Sequence, residues 1–277
     1  MPVTPAKHCK VITTCFTGRM VRRATTLCGD PPGPFLHAQV FPDAGAVLQL
    51  VRLLHELECQ VDPGVPCDTL IVNNDVGWER GNRFLRGIDG TRTRAGILRV
   101  LTRKNYGSSL GGYDHAFQCF RDRYEYWTFT EDDILLTGEG YFARCVEAFE
   151  REAGTGFVAI QGLSREPLLH AHGGVGTTHR GVLDSVVALW GHLPHRRAHE
   201  SQDDDDHSVL GEVLFTNLIE RLGYRLRALD TPPLYAFAYE YMRKRGLLPP
   251  PPPPALLLPR LLRRVARIAD RLAASAE

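Results

Sequence analysis

The chain has 277 residues, 43% of them hydrophobic, which is enough for one large α/β domain with a genuine core and excludes wholesale disorder. Its formal net charge is +1, so no global basic excess points to nucleic acid, and any charge-based function must be local. The seven cysteines include no C-x-x-C pair, which argues against zinc clusters and a disulfide framework and fits a reducing compartment.

Along the chain, "KVITTCF" from Lys10 to Phe16 is β-branched and predicts a first strand. "TGRMVRRATTLCGDPPGP" follows as a loop. Asp43 is placed to cap a helix in which Val47, Leu48, Val51, Leu54 and Leu57 recur at helical spacing. "DTLIVNND", residues 68–75, predicts a second strand, and the Gly- and Arg-rich stretch 77–96 predicts a long loop. "ILRVLT" from Ile97 is a third strand. "RKNYGSSLGGYDHAFQCFRDR" is a polar turn entering a helix, and "YEYWTFTEDD" is a fourth strand. A helix over 139–152 and a strand at "GFVAIQG" follow. This alternation predicts a mostly parallel, Rossmann-like sheet with helices on both faces. In such sheets ligands bind at the carboxyl ends of the strands. Phe16–Arg19, Asn73–Asp75, Arg103–Asn105 and Glu131–Asp133 all fall at predicted strand ends.

The second half is less regular. "HAHGGVGTTHRG" predicts a Gly/His loop, "LPHRRAHESQDDDDH" a charged connection, Ser208–Leu222 a helix and "YRLRALD" a late strand. Six prolines at 249–254 mark a stiff spacer. The division expected is therefore a main domain at 1–246, a Pro-rich linker at 247–254 and a basic amphipathic helix at 255–277. In that helix Leu261, Leu262, Val265, Ile268, Ala269 and Leu272 recur at helical spacing with Arg263, Arg264, Arg267 and Arg271 around them, a pattern suited to an anionic membrane surface, to packing on the body or a second subunit, or to a solvated face. No apolar run reaches the ~18 residues of a spanning helix, and the N-terminal stretch lacks a signal-peptide core. The expectation is a cytoplasmic protein, peripheral to a membrane at most.

The carboxylates of "YWTFTEDDILL" raise the chemical question. Glu131, Asp132 and Asp133 stand together after an apolar run, where like charges repel unless a cation meets them. Mg²⁺ and Mn²⁺ prefer oxygen ligands and often share them between carboxylates and substrate phosphates. The alternative is a solvated turn with a helix cap. Arg103 and Lys104 suit phosphate or sugar hydroxyls, Asn105 a base or sugar, and Gly107, Gly111 and Gly112 a close backbone approach. The segment is not a P-loop, because no G-x-x-x-x-G-K-[ST] occurs. His170, His172 and His179, in a Gly-rich stretch, are candidates for metal contact or are plain surface residues.

Together "KVITTCFTGR", "LIVNND", "RKNYGSSLGGYDHAF" and "YWTFTEDDI" resemble the nucleotide-sugar-dependent glycosyltransferases of the GT-A fold, closest to the family 2-like group. The resemblance covers roughly residues 8–165 and, more faintly, 205–230. It implies a metal-dependent hexosyltransferase whose D-x-D-type motif is Glu131, Asp132 and Asp133, with Glu131 where Asp is usual. It implies that these residues hold Mn²⁺ or Mg²⁺ on a nucleoside-diphosphate sugar. Thr14, Arg19, Asn74, Asp75, Arg103, Asn105 and Gly107 would lie at the nucleotide or donor sugar. For an inverting reaction the resemblance implies an acidic general base for an acceptor hydroxyl near "DDDDHSVLGEVLF", where Glu212 is preferred over Asp206 because "GEVLFTNLIERLGY" resembles the helix carrying that base; an exposed helix carboxylate is the alternative. Rival readings are a nucleotidyltransferase, against which the missing N-terminal Gly-rich signature counts, and a non-catalytic nucleotide- or glycan-binding module.

Overall fold

The computed structural model describes residues 7–14, 44–75, 77–165, 168–195, 207–229 and 233–248. Arg19, Phe16, the Asp43 cap, Asp206, the proline run and the basic C-terminal segment lie outside the described residues.

The central sheet has seven strands: β1 (His8–Thr14), β2 (Cys67–Asp75), β3 (Leu98–Lys104), β4 (Tyr126–Glu131), β6 (Thr155–Ala159), β9 (Gly176–His179) and β10 (Arg225–Ala228). Their order is β10-β6-β9-β4-β1-β2-β3. Pairing is parallel except around β9, which runs antiparallel to both β4 and β6. The mostly parallel sheet expected from the alternating pattern is therefore present.

Strands β1 and β2 are buried along almost their whole length, as a sheet covered on both faces requires. On one face Cys9, Val11, Leu70 and Val72 meet α3 (Ser108–Phe120), α5 (Arg180–Trp190) and α6 (His207–Arg221) through Tyr113, Phe117, Val182, Val186, Phe215 and Ile219. On the other, Ile12 and Ile71 meet α1 (Ala44–Gln60), α2 (Glu79–Ile88) and α7 (Ala238–Lys244) through Val47, Leu54, Leu85 and Met242. A third cluster packs α4 (Tyr141–Arg151) beneath Val158 and Val175. Among the described residues no helix is long and apolar enough to cross a membrane.

Two expectations are corrected. The stretch 77–96 is not one long loop, because Glu79–Ile88 is helical. Leu85 and Ile88, three apart, give it a narrow buried face that the helix's three arginines, Arg80, Arg83 and Arg86, obscure in the sequence. "HAHGGVGTTHRG" is not a loop either. It holds β8 (His170–Ala171), paired with β7 (Leu163–Ser164), then a 3₁₀ turn at His172–Gly174, then β9 in the middle of the sheet. Gly176 is obligatory there: a Cβ would lie 2.3 Å from the Phe157 ring and 2.4 Å from Val158 O. A short strand that needs glycine has no visible β-propensity. β5 (Ile134–Leu136) and β11 (Tyr235–Phe237) add a small antiparallel ribbon just beyond β4.

Candidate functional site at the carboxyl edge of the sheet

Strand register decides which polar residues meet. Thr14 lies beside Asn73, Asn74 beside Arg103, Asp75 beside Lys104, and Thr13 beside Glu131. Three polar strand ends, Asn73–Asp75, Arg103–Asn105 and Glu131–Asp133, thus converge on one edge. The fourth, Phe16–Arg19, lies outside the described residues.

On the β2–β3 side the polar groups are bonded to one another. Thr14 Oγ1 donates to Asn73 Oδ1 (3.3 Å), Asn73 Nδ2 to Asn82 Oδ1 (2.9 Å) and Asn82 Nδ2 to Asp75 Oδ1 (2.8 Å). Gly77 N–H donates to the same Asp75 oxygen at 2.8 Å. Arg103, although charged, is buried. Its Nη1 donates to Asn74 Oδ1 (2.6 Å) and its Nη2 to Tyr106 O (2.9 Å), and its guanidinium lies 3.9 Å from the Tyr106 ring centroid. Thr14, Asn74 and Arg103 are enclosed, while Asp75, Asn105 and Gly107 border solvent.

Two glycines of "GSSLGG" allow a close backbone approach. A Cβ on Gly112 would lie 2.4 Å from Thr13 Cγ2, and one on Gly111 would lie 2.5 Å from Tyr106 O and 3.2 Å from Arg103 Nη2. They let α3 settle against β1 and leave room for the guanidinium. Gly107, at φ 66°, turns the chain into α3.

On the β4 side carboxylates gather. Burial, then the charges of Asp133 and Glu212, push Glu131 well above the usual carboxylate range, while a hydrogen bond from Ser109 at the start of α3 opposes the shift. Burial also raises Asp133 to about 6. Glu212, in the first half of α6, is raised to about 7, chiefly by burial, with the Asp133 charge adding to it. Asp132 is almost fully enclosed, and its N–H donates to Thr13 O at 3.1 Å. Glu131 and Glu212, 81 positions apart in the sequence, are thus brought near enough for the Glu212 charge to raise Glu131.

Glu212 is held by the turn that sequence reasoning took for a loop. Gly173 N–H donates to Glu212 Oε2 at 2.9 Å. Gly173 and Gly174 have φ of 62° and 61°, which glycine alone adopts without strain, so "HGG" is a sequence signal for this backbone turn. His170 is buried, with Nδ1 2.8 Å from Leu168 O, and His172 packs edge-on to it at 5.6 Å. His179 is remote from this cluster. It sits at the other end of β9 and caps α5 by accepting from Gly181 N–H at 3.1 Å.

Sequence reasoning also missed Ser109, Tyr106 and the Asp114–His195 pair. His195 Nε2 lies 3.3 Å from Asp114 Oδ2, and its ring is 6.0 Å from that of Tyr106. Among the described residues no group of three or more His, Cys, Asp or Glu is arranged to hold a metal ion. A cation here would take much of its shell from ligand and water oxygens, as Mg²⁺ and Mn²⁺ do at phosphates. The donors fit such a hard ion: they are oxygens, desolvated and mutually repelling, so a dication would relieve them.

No protein-family profile matches the sequence, and no curated protein does. Among solved structures, the chain is similar to a mannosyltransferase from Pyrobaculum calidifontis in complex with GDP-Man and Mn²⁺, at 14% identity and TM-score 0.45, over 84% of this chain and 56% of that one. It is also similar to a cytidylyltransferase from Leptospira borgpetersenii, at 9% identity and TM-score 0.41, over 83% and 78% of the two chains. A 4-diphosphocytidyl-2C-methyl-D-erythritol synthase from Anaerococcus prevotii matches at 9% identity and TM-score 0.43, over 87% and 99%. The chain thus spans little more than half of the mannosyltransferase.

Proposed function

We propose that the chain is a metal-dependent glycosyltransferase of the GT-A type, moving a hexosyl group from a nucleoside-diphosphate sugar to an acceptor hydroxyl. The observation that carries this reading is the convergence of Glu131, Asp133 and Glu212 at the carboxyl edge, with Glu212 held by Gly173 N–H and raised to about 7. A carboxylate with that pKa is matched to taking a proton from an acceptor hydroxyl at neutral pH. Glu131, Asp132 and Asp133 would hold Mn²⁺ or Mg²⁺. Bound there, the ion would offset charge on the departing diphosphate. Thr14, Arg19, Asn74, Asp75, Arg103, Asn105 and Gly107 would form the nucleotide side. Within that group, the Arg103 guanidinium is fixed by Asn74 and Tyr106 before any ligand arrives, which lowers the ordering cost of binding. The basic segment 255–277 would rest on an anionic membrane surface from the cytoplasmic side.

Calorimetric titration with a panel of nucleoside diphosphates, with and without Mn²⁺, tests the reading. We expect one nucleotide to bind in a Mn²⁺-dependent way, and Asp133→Ala to lose at least tenfold in affinity, about 1.4 kcal/mol. Binding indifferent to both metal and substitution, or pyrophosphate release from a nucleoside triphosphate, would overturn it.

A further inference from the structure

Leu193, Pro194 and His195 follow α5 and lie in neither helix nor strand, yet one side chain of α3 holds them at two points. Leu193 N–H donates to Asp114 Oδ1 at 2.9 Å, and His195 Nε2 lies 3.3 Å from Asp114 Oδ2. A carboxylate only accepts, so His195 Nε2 carries the hydrogen of that bond. The Asp114 and His195 side chains are 14% and 7% exposed. Burial opposes the charge on Asp114, but the bonds from His195 and Leu193 N–H prevail and hold its carboxyl below the usual range, so the pair is closed by an anion at neutral pH.

What the pair holds in place matters more than its own bonds. The His195 ring stands 6.0 Å from the Tyr106 ring, tilted by 52°. Tyr106 in turn braces Arg103: the guanidinium lies 3.9 Å from its ring centroid, and its carbonyl accepts from Arg103 Nη2 at 2.9 Å. Gly111, three positions before Asp114 on α3, has no Cβ because one would lie 2.5 Å from that same carbonyl. Helix α3 therefore fixes Tyr106 from two directions, through Gly111 at the backbone and through Asp114 and His195 at the ring. Among the described residues the partners of Arg103 are all neutral, so its buried charge stays uncompensated until an anion arrives. The geometry points to Asp114 as a positioning residue for the nucleotide side, acting through His195 and the Tyr106 ring to keep Arg103 in place. This rests on the reading of Arg103 as part of the nucleotide site. A guanidinium ordered beforehand binds its anion without a further ordering cost, and a loosened Tyr106 restores that cost.

The test is calorimetry on the full chain with Mn²⁺ and the nucleoside diphosphate that the panel selects, beside urea midpoints that report folding. Asp114→Ala should raise the nucleotide Kd at least about fivefold, the lower end of ordinary coupling between sites. In a Tyr106→Leu background the same substitution should change Kd by less than about twofold, because residues that act through one another are not additive. Asp114→Asn still accepts from Leu193 N–H, and its amide can donate to the other tautomer of His195, so it should recover most of the affinity. His195→Leu repeats the test without touching α3, should Asp114→Ala fail to fold. A Kd unmoved by both substitutions in folded protein, or an equal loss with and without the Tyr106 ring, overturns the positioning role and leaves the nucleotide site standing. Failure of both variants to fold makes the pair scaffold and overturns it too. Absence of nucleotide binding in the unaltered protein overturns the glycosyl-transfer reading and this inference with it.

Discussion

The two ends of the central sheet treat charge in opposite ways. Near the amino ends of β1 and β2, each buried charge meets an opposite charge. Lys10 is paired with Glu58, whose second oxygen accepts from Thr69 Oγ1 at 2.6 Å. Asp68 accepts from Arg123 Nη2 (3.1 Å), Tyr124 OH (2.8 Å) and Ile97 N–H (2.9 Å). At the carboxyl edge, Glu131, Asp133 and Glu212 crowd like charges together, and each is raised above its ordinary range. Complementary pairs add to stability or hold register, whereas buried like charges cost it, and a fold keeps them only where something else is gained. The amino edge therefore reads as scaffold and the carboxyl edge as site.

The largest expected effect sharpens this contrast on the functional side. Glu212→Gln keeps the shape of the side chain and its capacity to accept from Gly173 N–H, but removes the proposed base. Sugar transfer should fall by roughly 10²–10⁴-fold, with Mn²⁺-dependent nucleotide binding retained. Steady-state kinetics beside calorimetry would check it. A loss below threefold would move the base elsewhere.

On the scaffold side the expected effect falls on stability and spares activity per folded molecule. Glu58→Ala leaves Lys10, which is 3% exposed, without its carboxylate. Breaking a buried pair from one side costs about 3–5 kcal/mol, readable as a lowered urea midpoint. If Glu58→Ala instead abolished nucleotide binding in protein that remains folded, the division between the two edges would be mistaken.

The legibility of the two edges differs for the same physical reason. Strands β1, β2 and β4 announce themselves because residues buried on both faces are largely apolar, aromatic or β-branched, and the polar ends of β2 and β4 mark the carboxyl edge directly. Glu131–Asp133 can be singled out because three acids after "YWTFT" contradict that pattern. The partners that complete the cluster are not legible as partners. Glu212 and Ser109 reach Glu131 only through tertiary folding, and Gly173 contributes a backbone N–H that no side chain advertises. Strand β9 is hidden because steric demand at Gly176 overrides strand propensity. Helix α2 is hidden because two apolar residues suffice to anchor it. The β2–β3 side lies between these cases: Asn74 and Arg103 are visible as polar residues at strand ends, but nothing in their spacing says that they bind each other and are enclosed.

The smallest expected effect concerns pH, and it reads the carboxyl edge without any substrate. Asp133 is raised from 3.8 to about 6 and Glu212 from 4.5 to about 7, both chiefly by burial. Between about pH 4 and pH 7 the folded protein thus holds more protons at these sites than the unfolded chain. Wherever the folded state binds more protons, stability falls as pH rises. The contribution is fully favourable below the unfolded values and is lost as pH climbs through the folded ones. Many other groups titrate over that range, so the informative quantity is a difference. Glu212→Gln should be about as stable as the unaltered protein at pH 4.5 and more stable at pH 8, with urea midpoints diverging across the window. Mn²⁺ should narrow the divergence, because cation and proton compete for the same oxygens and the cation removes the repulsion that the substitution also removes. Parallel midpoints across pH 4.5–8 would mean that Glu212 ionises freely, and that the carboxyl edge stores no electrostatic strain for a cation to relieve.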